Sequence, residues 1–185
     1  MTANRVHDGS TVIGLSTDEA TDAIVAADPT RDPDDVRSVL AHVTEGDRVT
    51  RAGIEATVSD TAKRLATSET RAELAGSALE DAEAVAADVE DLDVVASRLD
   101  RYRSTLDSVT ARVRRLGRTL RSVSVPDDDP DDLYGAVADL REVALGAQQT
   151  QQRADRLQMD LDDFEAWLRD PERRRRAFAE DVDVV

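Results

Sequence analysis

The chain reads as all-α: a small N-terminal helical unit followed by a long antiparallel coiled-coil hairpin. Three observations predict this. The first is a heptad seam in which Leu99, Leu106, Val113 and Leu120 alternate with Val95, Tyr102, Val109, Leu116 and Val123 at spacings of three and four. Four heptads in phase specify a helix packed along its length on another helix. The second is composition: aromatics are 3% and Cys is absent, so the core must come from Val, Leu, Ile and Ala, which suits narrow helix–helix seams. The third is the boundary Pro126-Asp-Asp-Asp-Pro130-Asp-Asp132, beyond which a second apolar stripe of helical period begins.

Residues 1–15, poor in hydrophobic side chains and carrying Gly9 and Gly14, read as a flexible tail. Ser16 and Glu19 have the spacing of a capping box, which opens a helix over Thr17–Ala27 that Pro29 ends. Asp32 followed by Pro33, Asp34 and Asp35 supplies an N-cap, a proline at the first helical position and acids in the first turn. The helix it opens carries Val36, Val39, Leu40 and Val43 on one face, and Gly46 terminates it. Thr50 caps the next, with Ile54, Val58 and Leu65 as its stripe, so residues 16–66 form an N-terminal short-helix unit.

Ser68 then reads as the cap of a longer run through Leu74, Leu79, Ala82, Val85, Val89, Leu92 and Val95. The step 89–92–95 is a stammer relative to the heptad, and Asp91 and Asp93 weaken the helix there. One helix from about Glu69 to Val123 is expected, bent or interrupted near Asp91, with a full break as the alternative. Pro126 stops it, Asp129 caps the next helix and Pro130 fits its first turn. The returning stripe is Leu133, Val137, Leu140, Ala144, Ala147, Gln151, Ala154, Leu157, Leu161, Phe164 and Leu168. Folding about residue 128 pairs positions whose numbers sum to about 256: Leu120 with Val137, Leu116 with Leu140, Leu99 with Leu157, Val95 with Leu161. The expected hairpin spans 67–169 with its turn at 125–131. Its seam is Val95, Leu99, Tyr102, Leu106, Val109, Val113, Leu116, Leu120 and Val123 against Leu133, Val137, Leu140, Leu157, Leu161 and Phe164. Opposite Tyr102 and Leu106 the partner offers Gln148, Gln149, Gln151 and Gln152, a section left for a third helix or a second chain to cover. Asp170 and Pro171 close the return helix and open a short C-terminal helix and tail, 170–185.

Charge is unusual in kind as well as amount. Of 40 acids, 28 are Asp; of 24 basic residues, Lys63 is the only Lys; the net charge is −16. Such a chain repels itself at low ionic strength, whereas in molar salt the screening length falls to about 3 Å and the penalty fades. Excess Asp with almost no Lys resembles the proteins of halophilic archaea. Because the acids are spread along the chain, solvent adaptation explains them better than a basic partner. No stretch approaches the ~18 apolar residues of a membrane span, and Met1–Gly9 has no basic–apolar–small signal pattern, so a cytoplasmic location is expected.

The chemistry candidates are few. Residues 98–124 hold eight Arg against Asp100 and Asp107, giving +6 between acidic neighbours. With Leu99 as heptad position a, Arg101, Arg114, Arg115, Arg118 and Arg121 fall at b, c or f and point away from the seam. Pairing with acidic helices of the chain's own bundle is the plain reading; otherwise they form the candidate partner surface, for a protein partner or self-association (a dimer being one form). Nucleic-acid phosphate is the alternative, disfavoured because salt strips affinity from electrostatic contacts and no aromatics interleave. Arg173-Arg174-Arg175-Arg176 sits among Asp170, Glu172 and Glu180 in a segment neutral over 169–185, and reads as a solvated face. The acidic turn Asp127–Asp132 lacks calcium-loop spacing and reads as capping. Gly46-Asp47-Arg48-Val49-Thr50 resembles the latter half of an EF-hand loop or the turn of a winged helix, but the acids that would ligand calcium before Gly46 are missing. Neither histidine sits in a catalytic arrangement: His7 is in the tail and His42 on a short helix. There is no nucleophile elbow, P-loop or dinucleotide fingerprint. The expectation is therefore a non-enzyme with no catalytic residue, cofactor or metal, in which Trp167 anchors packing beside Phe164 and Leu168.

The segment from Val49-Thr50 through Ser59-Asp-Thr-Ala-Lys63, then Thr67-Ser-Glu-Thr-Arg71-Ala-Glu-Leu74-Ala75, followed by the coiled-coil stretch, resembles small haloarchaeal coiled-coil proteins described as "halo transducer protein". The resemblance covers about residues 14–125 and implies a role in signalling or taxis. The chain departs from true transducers in lacking a membrane anchor and a signalling tip rich in Glu, Gly and Arg; its own tip is Pro126–Asp132.

Helical ellipticity will fall as salt is lowered below about 0.5 M, where screening weakens. Ellipticity that stays level into dilute buffer would refute it.

Overall fold

The computed structural model describes residues 12–87, 92–124 and 129–174. Its elements are α1 (Thr17–Ala27), α2 (Pro33–Leu40), β1 (Thr44–Glu45), β2 (Arg48–Val49), α3 (Arg51–Ala86), α4 (Leu92–Ser122) and α5 (Pro130–Arg169). The fold is all-α, with three long helices packed against each other. Among the described residues no helix is long and apolar enough to cross a membrane.

Contacts divide the chain into two units that are not consecutive stretches. The first takes the described residues up to Lys63 together with Leu116–Gly146; the second takes Arg64–Arg115 and the described residues from Ala147 onward. This differs from the linear division at residues 66 and 67, because α3, α4 and α5 each contribute residues to both units.

In the first unit, local chemistry sets the helix ends. Ser16 caps α1: its hydroxyl accepts from the Glu19 amide at 3.3 Å, while Glu19 accepts from the Ser16 amide at 3.0 Å. Asp32 accepts from the Asp34 amide at 2.8 Å, with Pro33 opening α2. Gly46, at φ 67°, turns the chain between β1 and β2, which pair Thr44 with Val49 and Glu45 with Arg48. Gly46-Asp47 is therefore a two-residue hairpin turn, in a backbone conformation that glycine adopts without strain. Residues 12–15 belong to this unit rather than to a flexible tail. The Gly14 amide donates to the Val49 carbonyl at 2.8 Å, the Val49 amide donates to Leu15 at 3.0 Å, and Val12 is buried. Residues 1–11 lie outside the described part.

The core of this unit joins Ile24 of α1, Val36, Val39 and Leu40 of α2, Val43, Val49 and Ile54, and closes on Leu133, Val137 and Leu140 of α5. Those three α5 residues fall one turn apart on one face. Arg31 completes the join: its guanidinium pairs with Asp28 at 3.1 Å and with Asp131, and lies 4.1 Å from the Tyr134 ring. Beside it, bonds from the Thr30 hydroxyl and amide, with Arg31 nearby, lower the Asp28 pKa.

In the second unit α3 and α4 run antiparallel, since Glu83 meets Arg103 while Gly76 faces Leu106. Helices α4 and α5 are also antiparallel: Arg112 donates to Gln149 at 3.0 Å and the Tyr102 hydroxyl reaches the Asp160 carbonyl at 3.5 Å. Helices α3 and α5 run parallel, with Arg64 on Gln151 and, seven residues on, Arg71 on Gln158. The second unit is thus a three-helix arrangement, where the sequence predicts a two-helix hairpin. Helix α3 ends at Ala86 and α4 starts at Leu92, so the chain breaks and reverses; Asp91 itself lies outside the described residues. Reversal lets α3 pack on Tyr102 and Leu106: Ala75, Ala78 and Leu79 meet them together with Leu157 and Leu161 of α5, while Gln149 lies instead beside Arg112.

Three further expectations are corrected. Ser68 is not a cap but a buried residue inside α3, its hydroxyl donating back to the Arg64 carbonyl at 2.8 Å, a bond that satisfies serine within a helix as well as at its start. Leu74 is 46% exposed, because the face α3 buries is Ala72, Ala75, Leu79, Ala82 and Ala86. The α4–α5 register is shifted by about six residues: Leu116 faces Gly146 rather than Leu140, Val109 packs with Ala154, and Val95 packs with Phe164 and Leu168. Leu133, Val137 and Leu140 are shared, since α1 and α2 pack on their cluster as do Leu120 and Val123 of α4. The turn residues 125–128 and the tail from 175 lie outside the described part.

Gly53 provides a test of the first unit. A Cβ there would stand 2.2 Å from the Val43 carbonyl oxygen, a backbone atom that cannot step aside. Gly53→Ala should cost about 1–3 kcal/mol by overpacking, read as a lowered denaturant midpoint at unchanged slope. A midpoint equal to or above wild type would refute the close approach.

Candidate interaction surface

Helix α4 carries the Arg-rich segment, and its arginines have two fates. Some are used internally. Arg103 pairs with Glu83 at 2.5 Å and Asp100 at 2.9 Å. Arg112 donates to Gln149 while its Nε is buried without a hydrogen-bond partner among the described residues. The Arg98 guanidinium sits 5.3 Å from the Trp167 ring and 5.8 Å from Phe164, a cation–π contact with an aromatic pair stacked at 5.7 Å.

The others face outward. Arg101, Arg114 and Arg115 are exposed in the second unit, and Arg118 and Arg121 in the first. Among the described residues the side chains of Arg101, Arg114, Arg118 and Arg121 make no ion pair or hydrogen bond.

The remaining sequence candidates resolve into local structure. Asp129 caps α5, accepting from the Asp131 amide at 2.8 Å, and Asp131 pairs with Arg31; Asp127 and Asp128 lie outside the described residues. Arg174 donates to the Leu168 carbonyl at 2.6 Å, satisfying the end of α5; Arg175 and Arg176 are outside the described part, as is His7. The His42 ring nitrogen Nδ1 lies 3.1 Å from the Ser38 carbonyl on the exposed side of α2. Trp167 stacks on Phe164, which in turn lies 5.4 Å from Tyr102.

Sequence reasoning did not anticipate a groove in the second unit along α4 and α5. It encloses about 440 Å³ and is lined by Arg98, Arg101, Tyr102 and Thr105 of α4 and by Arg153, Arg156, Leu157 and Asp160 of α5. A neighbouring hollow of about 400 Å³ shares Arg98, Tyr102 and Asp160 and extends to Trp167 and Arg173. Arg153 and Arg156 sit in an acidic helix and draw no attention there; the structure shows them lining one concavity with Arg101 and Thr105. Half-burial raises the Tyr102 pKa, as does the charge of Asp160, against the opposing pull of Arg98 and Arg101.

Comparison with known protein families, curated sequences and solved structures gives no match.

The Tyr102 environment has a pH consequence. The folded state holds the phenol protonated above its ordinary value of 10.0. Its contribution to stability is therefore complete below the unfolded pKa and is lost as pH rises from there through the raised folded value. Melting temperatures stepped upward from about pH 10 should fall more steeply for the wild type than for Tyr102→Phe. Parallel slopes would exclude Tyr102 as the source.

Proposed function

We propose that the chain is a non-catalytic coiled-coil interaction protein, a scaffold or adaptor working in the salt-rich cytoplasm of a halophilic archaeon. The observation that carries this reading is the outward arginines of α4: Arg101, Arg114, Arg118 and Arg121 are left without ion pairs among the described residues of a chain that has 40 acids. An acidic surface, on another protein or on a second copy of this chain, is the complement such a row selects. The composition supports the setting, since Asp excess and a single Lys suit molar salt. The resemblance to haloarchaeal transducer-like proteins supports an association with signalling. The absence from the sequence of nucleophile and cofactor motifs supports a role without catalysis.

The second reading is a nucleic-acid-associated protein using the same arginines on backbone phosphates. Capture of tagged protein from a haloarchaeal lysate at native salt, with and without nuclease, separates the two. A specific protein should co-purify after nuclease treatment and be lost from an Arg114→Gln/Arg118→Gln/Arg121→Gln variant. Capture that disappears with nuclease would replace the adaptor reading by the nucleic-acid one, and a partner retained equally by the variant would remove the arginine row from either.

A further inference from the structure

We propose that the α4–α5 groove is a binding site for a compact oligophosphate, the linear chain of two or three linked phosphates found in free polyphosphates and in nucleoside di- and triphosphates. Four guanidiniums line this one concavity, two from each helix: Arg98 and Arg101 are one turn apart on α4, and Arg153 and Arg156 one turn apart on α5. Asp160 is the one acid on its wall, so the lining is +3 within a chain of −16. The side chains of Arg101, Arg153 and Arg156 make no ion pair or hydrogen bond among the described residues. Gathering like charges raises the energy of the empty groove, and a polyanion relieves that repulsion as it binds.

The chemistry of the donors selects phosphate. A guanidinium offers a planar fork that matches two phosphate oxygens at once. Shape selects a chain over a single ion. The lining residues run from Arg98 to Thr105 and from Arg153 to Asp160, seven positions on each helix, or about 10 Å at 1.5 Å per residue. One tetrahedral anion cannot touch both ends of such a groove, whereas linked phosphates follow it. The volume of about 440 Å³ suits a small ligand. The groove shares Arg101 with the partner surface, but Arg153 and Arg156 have no part in that surface, so a variant at these two tests the groove and leaves the partner reading untouched.

The groove carries its own reporter. Arg98 lines it and also lies 5.3 Å from Trp167, the only tryptophan in the chain. Drawing the guanidinium toward phosphate changes the field on the indole. The full chain is titrated with sodium tripolyphosphate and, separately, with ATP, at constant ionic strength, following Trp167 emission and binding heat together. A saturable one-to-one response is expected with tripolyphosphate. It should weaken at least about tenfold in Arg153→Gln/Arg156→Gln, where charge-assisted forks are lost. Arg37→Gln/Arg64→Gln, which removes the same charge elsewhere on the chain, should bind as wild type. Helical ellipticity of both variants shows that they are folded. ATP binding more tightly than tripolyphosphate assigns the nucleoside end to the neighbouring aromatic hollow; equal affinity assigns the site to the phosphates alone, and both support the site. No saturable response by either readout overturns the proposal. So does an equal loss in both variants, which would mean diffuse charge attraction rather than a built groove.

Discussion

The second unit depends on one constraint: beyond the group of Tyr102, Phe164 and Trp167, three helices must close their core with aliphatic side chains alone. Aliphatic side chains fill a narrow seam only if the helices approach closely. Helix α3 makes this possible by presenting Ala75, Leu79, Ala82 and Ala86 toward clusters that hold Leu157, Leu161 and Phe164 of α5, and Ala72 toward Val109, Val113 and Ala154. Small residues on one helix opposite large ones on the next allow axes toward the near end of the usual 8–10 Å range. Such a seam has no room for long polar side chains, so these are arranged along its flanks, where Arg71 meets Gln158 at 3.0 Å and Asp155 at 3.2 Å and Arg112 meets Gln149. The first unit meets the same shortage differently. It wraps two short helices and a two-residue hairpin around three consecutive turns of α5, and backbone contact replaces side-chain bulk at Gly53.

Local signals in the sequence were legible because they act over a few residues. Ser16 with Glu19, Asp32 with Pro33, and Asp129 sit at the helix starts their spacing implies, each accepting a backbone amide. Thr50 likewise accepts from the Gly53 amide at 2.9 Å. What failed were inferences that depend on where a helix goes afterwards. Ser68 carries the same chemistry as a cap, and only the continuous ladder of α3 decides that its hydroxyl bonds backward to Arg64. The heptad seam identified α4 as a packed helix but said nothing of how many helices pack on it. Alanine faces look like generic helix former in a sequence, so the stripe through Leu74 was preferred over the one through Ala72 and Ala75 that is buried. The register error has the same root. A fold placed symmetrically about the proline turn treats Leu133, Val137 and Leu140 as partners of α4 alone, whereas their cluster also takes in α1 and α2.

The candidate surface followed suit. Outward placement of Arg101, Arg114, Arg115, Arg118 and Arg121 comes from heptad phase alone, and all five are exposed. The groove was not legible, because heptad phase places Arg101 on an outer face of α4 without saying that Arg153 and Arg156 of α5 line the same concavity. Periodicity reports which face of one helix is polar; it cannot report which polar faces meet.

The two sets of arginines differ in what the fold asks of them. Exposed pairs such as Arg103 with Asp100, or Arg37 with Asp34 at 3.1 Å, contribute about 0–1 kcal/mol each, so neither the pairs nor their absence decides whether the helices assemble. The seam does that. An acidic chain could therefore carry lysine-poor, arginine-poor outer faces at no cost to its fold, yet α4 holds eight arginines and α5 places two more beside them in one concavity. In molar salt the repulsion within such a cluster is screened to about 3 Å, which makes the cluster tolerable, while a bound polyanion whose oxygens sit within that distance still feels the full fork geometry of each guanidinium. Salt thus removes the long-range attraction and leaves short-range recognition, so that selection by contact rather than by net charge is what these arginines can provide.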